Sequence, residues 1–154
     1  MEILGGLIMA QEDKELLLKD LCARLPYNVI CQVEFKENGK YNSKVMLLSG
    51  IFTDEAYFTT KGGSIYSNEY KPYLFPLSNM TDEQCHKFYC RFVENEIDYN
   101  DFKKYYFDSC SWNKVLTLIS DCSDIIDWFN ENHFDYRGLI EKGLAIDATG
   151  LNIY

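Results

Sequence analysis

NVICQVEFKENGKYNSKVMLLSGIFT, residues 28–53, decides the fold. Between Asn28 and Lys36, Val29, Cys31, Val33 and Phe35 alternate with Ile30, Gln32, Glu34 and Lys36. This period of two marks a half-buried strand. Asn38-Gly39 then supplies two residues that tolerate the positive φ of a tight hairpin. A second strand is expected across Lys44–Thr53 and a turn at Asp54-Glu55. Ala56–Thr60 reads as a third strand, and Lys61-Gly62-Gly63 turns into a short fourth near Ser64–Ser67. Connections this short cannot make parallel crossovers, so the sheet is an antiparallel meander of three to four strands. A barrel-like curl is the alternative to an open sheet.

Upstream, Leu17, Leu18, Leu21, Cys22 and Leu25 form one apolar stripe of a helix over Gln11–Leu25. Acids in its first turn suit the helix dipole, and Pro26 stops it. Residues 1–10, apolar but short and without a basic start, are set apart as a leader or disordered N-terminus, with Met9 as an internal start. They are neither a signal peptide nor a membrane span. Residues 11–154 are read as a single α+β domain.

Downstream, Tyr70–Asn79 carries Pro72 and Pro76 and is expected to be a stiff connector lying over a core, since proline disfavours a central strand. Thr81 and Gln84 spell a capping box, with Met80 stapling onto Cys85. Cys85, Phe88, Tyr89, Phe92 and Val93 are the apolar face of the helix that follows. Asp98–Asp108 suits a short helix, and Lys114–Ser120 is ambiguous between strand and helix. Cys122, Ile125, Ile126 and Phe129 stripe a last helix ending near Asn132. The tail, punctuated by Gly138 and Gly143, is expected to fold back on the core with a helical turn around Leu139–Lys142.

The chain carries a formal charge of -9, and 47% hydrophobic residues over 154 positions give it enough material for a core without staples. The charge is uneven, because residues 81–135 hold twelve acids and five bases. Such a surface repels nucleic-acid phosphates and anionic membranes and attracts basic partners. Asp121, Asp124, Asp127 and Glu131 recur at three- and four-residue steps, making an acidic ridge on the last helix. Their spacing lacks the alternating ligands and central glycine of a calcium loop. The competing interpretation is a merely solvated helix face.

Six cysteines without C-x-x-C spacing are read as buried, reduced thiols of a cytoplasmic protein. His86 follows Cys85, and helix neighbours point about 100° apart, so no zinc site is expected there. Lys61-Gly62-Gly63 precedes no helix and is a turn, not a phosphate loop. No cofactor is expected.

His133, Asp135, Tyr136 and Arg137 gather several kinds of functional group. A His and an Asp could perform acid–base chemistry. The simpler reading is a structural lock between the last helix and the tail, in which Arg137 pairs with a carboxylate or caps helix carbonyls, with Trp128 part of the same structural signature.

NHFDYRGLIEKGLA, residues 132–145, resembles the C-terminal signature of small uncharacterised proteins of gut-bacterial genomes, prophages and mobile elements. KELLLKDLCARLP (14–26) and KPYLFPLSNMTDE (71–83) are similar to two further blocks of that group. The resemblance implies a phage-associated cytoplasmic accessory protein and assigns no catalytic residue. The expectation is therefore a non-enzymatic, acidic interaction module. It would bind a basic surface of a host or phage protein, such as one in defence or nucleic-acid binding. A small enzyme using His133–Arg137 and a structural homo-oligomer subunit are the alternatives.

Overall fold

The computed structural model describes residues 9–52, 55–93, 95, 97–108 and 122–154. The expectations for Met1–Ile8, for Lys114–Ser120 and for the Asp54 turn fall outside the described residues.

Helix α1 spans Gln11–Arg24, and a 3-10 turn over Leu25–Tyr27 ends at Asn28 with a left-handed φ of 56°. The meander follows as β1 (Ile30–Glu37), β2 (Lys40–Ile51), β3 (Ala56–Thr60) and β4 (Gly63–Ser67). Asn38 and Gly39, at φ 50° and 78°, make the two-residue hairpin that brings Glu37 opposite Lys40. Pairing begins at once, so β2 is longer at its start than its apolar run alone suggests.

Tyr70–Asn79 departs from expectation. Glu69–Pro76 is strand β5, paired antiparallel with β1. The Val29 carbonyl accepts from the Leu48 N–H, so the odd residues of β1 direct their backbone groups towards β2. Pro72 stands opposite Cys31, at a position where β1 offers it no hydrogen bond, and its missing N–H costs nothing. Further along, β5 pairs in parallel with two short tail strands, β6 (Phe134–Asp135) and β7 (Ile146–Asp147).

The sheet runs β4-β3-β2-β1-β5-β6 and is open, which removes the barrel alternative. Only Asn68 separates β4 from β5. Where a closing ladder would start, the Ser67 hydroxyl instead donates to the Glu34 carbonyl at 2.6 Å and accepts from the Glu69 N–H at 3.0 Å.

Helix α2 covers Asp82–Phe92 behind the expected capping box: Gln84 N–H to Thr81 Oγ1 at 3.2 Å and Thr81 N–H to Gln84 Oε1 at 2.9 Å. Helix α3, Tyr99–Phe102, is capped by Asp98 and runs into a π turn at Lys103–Phe107. Helix α4 is Cys122–Glu131. The fold is thus α+β. Among the described residues, no helix is long and apolar enough to cross a membrane.

Two cores result. One packs Leu17 and Leu21 of α1 on Val33, Leu48, Phe58 and Leu74 of the sheet, with Leu139 and Leu144 from the tail. The other is aromatic: Phe88 lies among Phe102, Trp128 and Phe129 at centroid distances of 6.2, 5.3 and 5.7 Å. On α1 the buried residues are Leu17, Asp20, Leu21 and Arg24, while Leu18 is half-buried and Cys22 exposed. The helix is rotated from its expected stripe because it buries an ion pair. Of the described cysteines, Cys31 and Cys85 are buried and free, whereas Cys22 and Cys90 are free and exposed. The expectation of uniformly buried thiols is corrected accordingly.

The tail contributes fully buried apolar surface, so Leu139→Ala should cost ~2–5 kcal/mol through lost transfer energy and the cavity left behind. Urea unfolding measures this; an unchanged midpoint would mean that the tail does not belong to the sheet core.

Candidate functional site

The Asp-Tyr-Arg triplet is built into a buried polar lock. Asp20 and Arg24 are both 0% exposed and one helical turn apart. Arg24 Nε lies 2.7 Å from Asp20 Oδ2, and its Nη2 reaches Asp20 Oδ1 at 3.2 Å and the Phe134 carbonyl at 2.7 Å. Arg137 comes from the tail with Nε 3.2 Å from Asp20 Oδ1, a charge contact without a directed hydrogen bond. The Tyr136 ring faces both guanidinium groups, at 5.2 Å from Arg24 and 4.9 Å from Arg137, and stacks on Phe129. Asp135 accepts from the N–H groups of Leu139 and Ile140, each at 2.9 Å, and so holds the turn that follows. Trp128 stacks on Phe134 beneath.

His133 is not paired with Asp135, whose two oxygens are taken by those backbone donors. Its φ of 58° turns the chain out of α4, and its carbonyl accepts from the Phe75 N–H at 2.9 Å. The imidazole stacks on Tyr154 with centroids 3.7 Å apart. Burial, then the nearby Arg24 charge, lowers its pKa from 6.5 to about 4, so the ring is neutral at physiological pH. The Tyr154 hydroxyl donates to the Tyr73 carbonyl at 2.7 Å and accepts from the Ile30 N–H at 3.2 Å. It bridges β1 and β5 where their ladder ends.

Beside this stack opens a cleft of about 480 Å³, lined by Pro26, Tyr27, Asn28, Ile30, Leu47, Glu131, His133 and Tyr154. Asn28 and His133 are two of the described non-glycine residues at left-handed φ. Burial, followed by the negative charges of Asp127 and Glu131, raises the pKa of the Tyr27 phenol. The acidic side of α4 therefore borders the cleft.

Along α4, Asp124, Asp127 and Glu131 are exposed beside the buried stripe of Ile125, Trp128 and Phe129. Spacings of three and four residues put them on one face. Among the described residues, no cation comes within ion-pair distance of any of them. Asp121 lies outside the described residues.

A pairing that the sequence reading overlooked joins His86 and Cys90, one turn apart on α2. Cys90 Sγ is 3.7 and 3.9 Å from the two ring nitrogens, so the thiol is aimed at neither lone pair. Among the described residues, no three His, Cys, Asp or Glu side chains converge as a metal site. Tyr27, Ile30, Leu47 and Tyr154 were also missed as cleft residues. Ile30 and Leu47 face each other across the Asn38-Gly39 hairpin, whereas Tyr154 comes from the far end of the chain and nothing local marks it as their neighbour.

In comparisons with family models, curated proteins and solved structures, nothing matches this chain.

The His133 shift has a consequence for stability. Between about 4 and 6.5 the unfolded chain takes up a proton that the folded chain refuses, so stability falls as pH drops through that window and levels off below it. His133→Asn keeps a residue suited to positive φ and removes the titration. It should flatten the pH dependence of the melting temperature in that window, and NMR of the wild-type ring should give a midpoint near 4. A midpoint near 6.5 would contradict the buried, stacked geometry.

Proposed function

We propose that the protein is a non-enzymatic binding module of phage or mobile-element origin. In this reading it acts in the cytoplasm by seating the acidic face of α4 on a basic surface of a host or phage protein, and it inhibits a defence or nucleic-acid-binding partner by occupying that surface. The observation that carries the reading is the row Asp124, Asp127 and Glu131, exposed on one helix face without a cation beside it among the described residues. Carboxylates so placed resemble the phosphates that a basic surface is built to meet. Complementary charge speeds encounter and selects partners. Apolar or aromatic anchors would then set the lifetime of the complex.

The polar lock supports the non-enzymatic reading. Asp135 and Arg137 are occupied in holding the tail, and His133 in stacking on Tyr154.

The test is to change Asp121, Asp124 and Asp127 to Asn and Glu131 to Gln together, then measure binding to a partner captured from host lysate with the wild-type protein. Affinity at low salt should fall about fourfold or more, from up to four interfacial ion pairs at roughly 0.2–1 kcal/mol each. The difference should shrink as salt rises. Unchanged affinity and salt dependence in a folded variant would refute the acidic-face reading.

A further inference from the structure

The cleft beside α4 has an unusual lining. Tyr27 and Tyr154 bring aromatic surface from opposite ends of the chain, and the Tyr154 ring lies face to face on His133. Ile30 and Leu47 add apolar surface. The charged group among the described lining residues is the exposed Glu131 carboxylate, with Asp127 close enough to the Tyr27 phenol to raise its pKa. An anionic ligand would meet these carboxylates, while the Arg24 charge felt at His133 is already paired with Asp20. A purely apolar ligand would leave the negative field unused.

A planar cation satisfies every part of such a lining. A guanidinium stacks flat on aromatic faces, pairs bidentately with a carboxylate, and is more weakly hydrated than an ammonium. The apolar stem of an arginine can lie along Ile30 and Leu47 while its head reaches Glu131. Asn28 and His133 hold the margins of the cleft at φ 56° and 58°, fixed in part by the His133 carbonyl bond to β5. The backbone on both sides of the cleft is thus tied to neighbouring elements.

We infer that this cleft is an arginine-binding pocket, in which one arginine side chain of the basic partner protein lies between Tyr27 and the His133–Tyr154 stack with its guanidinium on Glu131. The inference rests on the proposed basic partner and gives that partner a specific anchor. The ridge supplies long-range attraction, and the cleft supplies the oriented contact that limits dissociation.

The probe is acetyl-Gly-Arg-Gly-amide, titrated into the whole protein and followed by ¹H–¹⁵N NMR. Its counterpart carries citrulline, which keeps the shape and loses the charge. Shift changes should centre on Tyr27, Ile30, Leu47 and His133, and the citrulline peptide should bind at least ~5-fold more weakly. Glu131→Gln should weaken the arginine peptide by a similar factor, and Tyr27→Leu by ~2- to 5-fold, whereas Asp101→Asn, exposed on α3, should leave it unchanged. Equal binding of the two peptides, shifts spread over the whole acidic surface, or indifference to Glu131→Gln would overturn the pocket. If the peptide misses the cleft while partner binding still depends on the ridge, the pocket alone fails. If the peptide fills the cleft while the ridge variant keeps full partner affinity, the acidic-face reading fails and the pocket stands.

Discussion

The structure depends on the buried Asp20–Arg24 pair. Both side chains are out of water, and the pair is a neutral unit only while intact. Removing one partner leaves an uncompensated buried charge, a loss of roughly 3–5 kcal/mol. Replacing both by apolar residues of similar volume can be far milder, so the pair is better understood as a constraint on geometry than as a source of stability. It admits one arrangement. Arg24 must meet the Phe134 carbonyl, and Arg137 must return to Asp20. The first helix and the last strands are thereby fixed to each other across more than a hundred residues of sequence.

That constraint explains the sheet's irregular end. With Phe134 held by Arg24, β6 lies along β5 at Phe75 and Pro76, and His133 is turned through a positive φ to reach it. β1 and β5 separate beyond Cys31 and Pro72, and the Tyr154 hydroxyl fills the gap by bonding to both strands. The cleft opens at this divergence. Its floor is sheet, one wall is the turn after α1, and the other is the turn after α4.

What the sequence made legible follows from what periodicity can report. The meander was readable because Val29, Cys31 and Val33 alternate with half-exposed neighbours and Asn38-Gly39 fits only a tight turn. Helix α2 was readable because its cap and its stripe agree. The stripe of α1 was misplaced because Asp20 and Arg24 occupy core positions, and a hydrophobic pattern has no way to register a buried charge pair. β5 was hidden by Pro72, whose penalty depends on which edge its nitrogen faces, a matter of register with β1. The acidic ridge was visible at Asp124, Asp127 and Glu131 from their spacing alone, whereas the cleft was not. The hairpin brings Leu47 opposite Ile30, but Tyr154 joins them through its bonds to Ile30 and Tyr73, which no local pattern announces.

Two helices of the same protein treat charge in opposite ways. In α2, Asp82 and Glu83 occupy the first turn, Arg91 the last, and Glu83 pairs with Lys87 at 2.7 Å, which lowers the Glu83 pKa. Each choice favours the helix dipole or an i,i+4 contact. In α4, Asp127 and Glu131 stand towards the carboxyl end, and no base occupies the last turn. An anion there opposes the dipole by roughly 0.3–1 kcal/mol. A sequence selected for helix stability alone would place lysine or arginine at these positions, as α2 does at its own end. The departure falls at the mouth of the cleft, beside a second departure from local preference, the left-handed backbone at His133. Two departures from local preference that meet beside one cleft point to a surface shaped for something other than folding.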